Sequence, residues 1–322
     1  MRVHGRRELD SVRGPVPLAC TVRACGLPLT RNGRTWTCPR GHAFDVARTG
    51  YVNLLQPQDR RSGAAGDQTK AVDARARLLA RGIGRALVDE TVRRAAALDV
   101  GDPPAAVVDL GSGSGDVLGE LVSIRPVAGI GIDLSTAAAE RAARRFPDLT
   151  WVVANADRRL PLLDHSVAVV ISVHGRRNPR ECARVLMPGG YLLVAVPAAD
   201  DLAELRERVQ GTRVDRSRAE ALTIEHAPFF TVRGRGAVRE RLSLDRDALL
   251  DLLRGTYRGE RRSAEERIDT LGGLEVTLAS ELFLFTLKER FAPHRATDGS
   301  ESGGAAVPAP APAARASRRR GR

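Results

Sequence analysis

The sequence predicts an α/β protein: a doubly wound, mostly parallel sheet preceded by a small metal-binding module. Three observations carry this reading. From residue 105 onward, short β-branched apolar runs alternate with helical stretches, the pattern that builds parallel sheets. The first of those runs leads into a glycine-rich turn, Asp109-Leu110-Gly111-Ser112-Gly113-Ser114-Gly115-Asp116. Ahead of the sheet, Cys20-x4-Cys25-x12-Cys38-x3-His42 places three of the four cysteines within 19 residues, with a histidine at ligand spacing.

At 322 residues, 43% of them apolar, the chain can bury the core of one full α/β domain plus a smaller module. Arginine outnumbers lysine 49 to 2, a skew expected of a GC-rich coding sequence, so single arginines carry little functional weight. The location of the net charge of +12 is more informative. Residues 1–62 carry +7 and residues 290–322 carry +5, which leaves the 227 residues between them neutral. A neutral body with basic ends fits a polyanionic partner held by those ends. No stretch reaches the roughly 18–20 apolar residues of a membrane helix, and no apolar segment follows the N-terminal arginines as in a secretory signal. Four cysteines in so long a chain are not a disulfide framework, so a reducing cytoplasm is the expected setting.

Residues 1–17 lack periodicity and are expected to be loose. Residues 18–48 form the metal module. Two pairs of soft ligands a dozen residues apart can close a tetrahedron around Zn²⁺. Gly26, Asn32-Gly33 and Gly41 supply the turns, and Thr35-Trp36-Thr37 reads as a short strand. About 30 residues cannot bury enough core alone, so the metal supplies the missing stability. Losing a ligand is then expected to loosen this module and spare the rest. Cys182, far from the cluster, reads as a packed core thiol. Residues 49–104 are a connector and leading helices. Phe44-Asp45-Val46-Ala47 and Gly50-Tyr51-Val52-Asn53-Leu54-Leu55 are apolar enough to dock, and 56–66 is expected to be a mobile basic loop carrying Arg60 and Arg61. Two helices follow over 70–98, separated by Gly82 and Gly84.

Residues 105–292 form the sheet domain. Strands are predicted over 105–108, 128–132, 150–154, 166–173 and 191–196, with helices over 117–124, 136–146 and 181–186. Later elements are a helix near 202–209, a strand near 238–244, a helix near 245–253 and a last strand over 275–288. Ligands of such sheets sit at the carboxyl ends of the strands, where Asp109, Asp133, Asp157 and His174 all fall. The glycines allow a tight turn and close ligand approach, and Asp133, about 20 residues past the first strand, can accept from ribose hydroxyls. An adenosine cofactor follows. From Pro293 the Ala/Pro/Gly/Ser-rich basic tail is expected to be disordered.

The glycine loop, the Asp133 position and Leu186-Met187-Pro188-Gly189-Gly190 resemble class I S-adenosylmethionine methyltransferases. Cys25-Gly-Leu-Pro-Leu, Trp36-Thr-Cys-Pro-Arg-Gly-His-Ala-Phe-Asp and Gly50-Tyr-Val-Asn-Leu-Leu sharpen this to the 23S ribosomal RNA guanine-N1 methyltransferase family, over roughly residues 18–290. That family includes enzymes giving resistance to macrolides such as tylosin. The resemblance implies a Rossmann-like methyltransferase domain binding S-adenosyl-L-methionine and a zinc module gripping an rRNA hairpin. Cys20, Cys25, Cys38 and His42 become the zinc ligands. Asp109, Gly111, Ser112, Gly113, Gly115, Asp133 and Asp157 become the cofactor site. With the +7 charge of residues 1–62 concentrated around the zinc module, Arg40, Arg60 and Arg61 are the expected RNA contacts. The expected partner is 23S rRNA, with a homodimer left open and no membrane. The chain departs from the family at His174-Gly175-Arg176, where an aromatic-Ala-Pro segment is usual, and at Asp201, which stands for a histidine.

Methylating guanine at N1 requires a group that takes the N1 proton. His174, Asp200 and Asp201 are the candidates. Two alternatives stay open at this point: a class I methyltransferase for a small molecule, and a zinc-dependent RNA-binding protein that has lost catalysis.

Overall fold

The computed structural model describes residues 16–23, 25–59, 66–101, 105–211, 218–256 and 262–291. The N-terminal strands β1 (Thr30–Asn32), β2 (Thr35–Thr37) and β3 (Ala43–Asp45) form an antiparallel meander in the order β1-β2-β3. The first turn falls at Asn32-Gly33, where Gly33 takes φ +60°. Trp36 is the buried side chain of the central strand, opposite Phe44. Only β2 is legible in the sequence, because β1 is wholly exposed and β3 shows no apolar alternation.

The main sheet adds β4 (Tyr51–Asn53), β5 (Ala106–Leu110), β6 (Ala128–Asp133), β7 (Thr150–Val153), β8 (Val167–Val173), β9 (Leu186–Pro197), β10 (Phe230–Leu244) and β11 (Leu274–Leu287). Its order is β10-β11-β9-β8-β5-β6-β7-β4. The six strands from β9 to β4 run parallel, and β11 is antiparallel to both β9 and β10. The helices are α1 (Thr69–Ala80), α2 (Arg85–Ala96), α3 (Asp116–Ile124), α4 (Thr136–Arg145), α5 (Pro179–Val185), α6 (Ala203–Gln210), α7 (Arg218–His226), α8 (Arg246–Thr256) and α9 (Arg262–Asp269).

Side chains alternate across each strand, so the sheet packs on both faces. Val107, Val169, Ile171 and Leu193 point to one face, where α2, α3 and α4 cover them with Val92, Leu118 and Ala142. Val108, Ile130, Val152, Val170 and Leu192 point to the other. On that face the β7–β8 crossover carries no described helix. Its Leu160 and Leu162 instead share a buried cluster with Leu18, Cys20, Leu29, Trp36, Cys38 and Val46 of the metal module. Leu18 bridges Leu162, and Ala19 N–H donates to Pro161 O at 3.0 Å. The module therefore covers the sheet where a crossover helix would otherwise lie. β4 extends the contact by pairing with β7 in register Tyr51↔Trp151. A third cluster ties α1, α6, α8 and α9 to the outer end of β11 through Leu78, Leu205, Leu249, Ile268 and Val276.

Several elements depart from the sequence reading. Helix α5 begins at Pro179 rather than 181, because Asn178 caps it by accepting from the backbone N–H groups of Arg180 and Glu181 and Pro179 suits the first turn. Strand β9 begins at Leu186, with an irregularity in its pairing to β8 that absorbs the Pro-Gly-Gly element. Strand β10 starts at Phe230 rather than near 238. Its first half is an edge strand of alternating arginine and glycine with little apolar signal, and Gly236 stays bare because the Arg94 guanidinium fills the space of a side chain. Helices α7 and α9 are not among the elements the sequence predicts; α7 buries only Leu222 and His226 among its described residues and leaves most of its others exposed. Cys182 is fully buried, as expected of a core thiol.

Candidate cofactor and metal sites

The metal module brings its four predicted ligands together. Sγ of Cys20, Cys25 and Cys38 and a ring nitrogen of His42 all lie within 4.8 Å of one another. Cys20 Sγ and Cys38 Sγ are each 3.4 Å from His42 Nδ1, and Cys25 Sγ is 4.0 Å from Cys38 Sγ. A zinc tetrahedron with its usual bond lengths has edges of roughly 3.5–3.8 Å, so the donor set fits Zn²⁺. Gly26 at φ +64° and Gly41 at φ +81° fold the two ligand loops back on themselves. Burial, with Cys25 and Cys38 beside it, pushes the Cys20 thiol up to about 12. For Cys38 burial is outweighed by the backbone amides of His42 and Arg40, and its thiol falls to about 7. A dication bound at the centre would favour the thiolate form of its sulfur ligands. Arg40 is exposed in the loop between Cys38 and His42. Arg60 and Arg61 lie outside the described residues.

At the carboxyl ends of β5 and β6, Gly111, Gly113 and Gly115 take φ values of +75°, +53° and +80°. Gly111 N–H donates to Ile132 O at 2.8 Å, which ties the loop to β6. Asp133 reaches across the loop: one carboxylate oxygen accepts from Gly113 N–H at 2.9 Å and the other from Ser135 N–H at 2.7 Å. Each oxygen keeps a second lone pair for a ribose hydroxyl. Among the described residues, no atom lies within 4 Å of where a Cβ on Gly113 would stand, and Ser112 Oγ is buried without a partner. The open cradle and the orphaned hydroxyl fit an adenosyl cofactor.

Asp109 lies inside β5, 3% exposed, and burial followed by the charges of Asp133 and Asp116 raises its pKa to about 7. A carboxyl raised in the folded state stabilises the fold below its unfolded pKa and loses that contribution as pH climbs toward 7. Asp109→Asn should therefore raise the melting temperature more at pH 8 than at pH 5. Equal shifts at the two pH values would contradict this placement. Asp157 is paired with Arg176 at 2.9 Å, joining the loops after β7 and β8.

The three proton-acceptor candidates lie along one rim, each with its own partner. Asp200 is held by both terminal nitrogens of Arg239 on β10. Asp201 accepts from Ala279 N–H at 2.9 Å. His174, at φ +52°, places Nε2 2.9 Å from Ser280 Oγ. Desolvation at the strand end, then the charge of Arg218, moves its pKa below the usual histidine value, although the residue as a whole is exposed.

Sequence reasoning missed four contributors: Asp67, whose carbonyl accepts from Ser135 Oγ at 2.6 Å, and Arg239, Ser280 and Arg177. Each acts through a partner far along the chain, and only the lone Gly66 marks where the 66–67 segment packs against the Leu134–Ser135 turn.

Residues 19–63 match the family described as the N-terminal domain of RlmA, a zinc ribbon, and residues 107–190 match a methyltransferase domain. A 23S rRNA (guanine(748)-N(1))-methyltransferase from Streptomyces fradiae is 41% identical over 229 residues, covering 70% of this chain and 80% of that protein. The chain belongs to the 23S rRNA (guanine-N1)-methyltransferase family. A Micromonospora griseorubida protein named for guanine-N1 methylation of 23S rRNA is 38% identical, over 73% of this chain and 84% of its own length. One from Bacillus subtilis is 34% identical over 55% and 63%. As a family member the chain is an S-adenosylmethionine-dependent methyltransferase with a zinc ribbon. Among the described residues, no helix is long and apolar enough to cross a membrane.

Proposed function

We propose that this methyltransferase modifies N1 of a guanine in a hairpin loop of 23S rRNA, in the cytoplasm, with the zinc ribbon gripping the RNA and the strand ends performing the chemistry. The observation that carries this reading is the common core of ribbon and sheet, which makes one body of an RNA grip and a cofactor site. S-adenosyl-L-methionine supplies an activated methyl group when bound, and its adenosine would be held by the Gly111–Gly115 loop and Asp133, with Asp109 buried near the end of β5 beneath them and Asp157 in the loop after β7. Cys20, Cys25, Cys38 and His42 hold the zinc, and Arg40, Arg60 and Arg61 are the RNA contacts.

Guanine N1 is protonated at neutral pH, so the chain must take that proton as N1 becomes nucleophilic. Asp200 is committed to Arg239 and Asp201 to the β11 backbone. That favours His174, which is neutral, fixed by Ser280 and open toward the cleft beside it. Incubating the protein with unmodified 23S rRNA and labelled cofactor, then mapping the label, tests the reading. One guanine should carry it, with a methyl that blocks base pairing. His174→Ala should lose that product while still binding cofactor. Label on a small molecule or protein, with none on rRNA, would overturn the proposal.

A further inference from the structure

A cleft of about 220 Å³ opens between the loop after β8 and helix α7, lined in part by His174, Gly175, Arg177, Arg218 and Glu225. It lies beside the cofactor loop, since a Cβ on Gly111 would stand 3.1 Å from Gly175 Cα. Behind its wall His226 is fully buried and stacked on Phe285, ring centroids 5.3 Å apart. His226 Nδ1 is 2.8 Å from Leu222 O. A carbonyl only accepts, so Nδ1 carries the proton and Nε2 keeps a lone pair. That lone pair accepts the Nε–H of Arg177 at 3.2 Å, and Arg177 Nη1 donates to Gly175 O at 3.1 Å. The guanidinium is thus aimed by two neutral acceptors.

Its neighbours are held differently. Arg176 pairs with Asp157, Arg184 with Glu181 and Asp164, and Arg239 with Asp200. Among the described residues Arg177 has no carboxylate within salt-bridge distance; burial works against its charge, and the more distant carboxylate of Glu225, in the same cleft, offsets this only in part. Removing a cation from water without a directly paired counter-charge is unfavourable. Three of its five N–H donors remain uncommitted among the described residues. A half-buried guanidinium with spare donors, lining a cleft at the strand ends with a second arginine, is built to receive an anion that comes from outside the chain.

We infer that Arg177 binds a phosphodiester of the RNA next to the target nucleotide, and that His226 is a positioning residue that fixes the Arg177 fork. The inference rests on the functional reading above. A base drawn out of its stack brings its flanking phosphates to the pocket mouth, and the guanidinium fork matches phosphate oxygens in pairs. The competing anion is the carboxylate of the cofactor, and the experiment separates the two.

The zinc-loaded full chain is titrated with an unmodified 23S hairpin over a range of salt, and with S-adenosylmethionine by calorimetry. Arg177→Ala should weaken hairpin binding about tenfold or more and flatten the log–log salt dependence by about 0.7, with cofactor affinity unchanged. Arg177→Lys keeps the charge and loses the fork, so the salt dependence should persist while affinity drops. His226→Gln returns an acceptor to the Nε2 position and should bind RNA nearly as the native chain does. His226→Asn still donates to Leu222 O and cannot reach Arg177, so it should bind weakly. A histidine that only fills the core would make the two equally harmful. Unchanged affinity and slope in Arg177→Ala would overturn the inference, and a loss of cofactor affinity in its place would assign the anion to the cofactor. A native chain that shows no salt-dependent hairpin binding would overturn the functional reading and this inference with it.

Discussion

A Gly113→Val chain should fold and fail to bind S-adenosylmethionine, whereas Gly115→Val should melt much lower than the native chain. Gly113 sits at φ +53° with nothing within 4 Å of its Cβ position. Forcing a branched residue into the left-handed region costs about 1–3 kcal/mol, well below the roughly 5–15 kcal/mol of a typical domain. The fold survives that strain. The two methyl groups, however, fill the space over the loop where a cofactor must approach the backbone. Gly115 is different, because its Cβ would overlap the indole of Trp151. That ring is 1% exposed and tethered by its N–H to Phe146 O at 2.9 Å, so it cannot yield. Strain and overpacking, each about 1–3 kcal/mol, then add at the start of α3. Calorimetry with the cofactor and thermal melts of both variants check the pair. Native cofactor affinity in Gly113→Val would remove the ligand from this loop.

The parts of this architecture legible in the sequence are those whose signal is local. Ala105 to Val108 is a continuous apolar run because both faces of β5 are covered, and the glycines after Asp109-Leu110 mark a turn. The metal ligands announce themselves by spacing. What is not legible depends on partners distant in the chain. His174 meets Ser280 across 106 positions, and Arg177 meets His226 across 49. Strand β10 is hidden because an edge strand needs little apolar patterning, and its pairing with β11 over Phe230–Leu244 supplies the order instead. The metal module shows the same limit. Its ligand spacing points to a self-contained fold, yet Trp36 and Val46 are buried in a cluster that includes strands of the large sheet.

That shared cluster makes zinc a determinant of the whole methyltransferase. Cys38→Ser should destabilise the sheet domain and reduce cofactor affinity as well as loosening the ribbon. Zinc binding in small ribbon-like peptides supplies about 10–16 kcal/mol of apparent folding free energy, as much as the stability of a typical domain, about 5–15 kcal/mol. Without it, a three-stranded meander with one buried side chain, Trp36, cannot hold its turns. Leu18, Leu29 and Val46 are then exposed, each losing about 1.5–3 kcal/mol of burial, and the sheet face around Leu160 and Leu162 is uncovered. Strand β4 follows, because it joins the ribbon to β7. The two tryptophans report the two halves separately, Trp36 in the ribbon and Trp151 in the sheet. In a Trp36→Phe background, chelation should shift the Trp151 emission and lower its melting temperature, and re-addition of one equivalent of Zn²⁺ should restore both. Should Trp151 emission, melting temperature and cofactor affinity stay at native values after the metal is removed, the ribbon would be an independent unit and the common core would carry no energetic coupling.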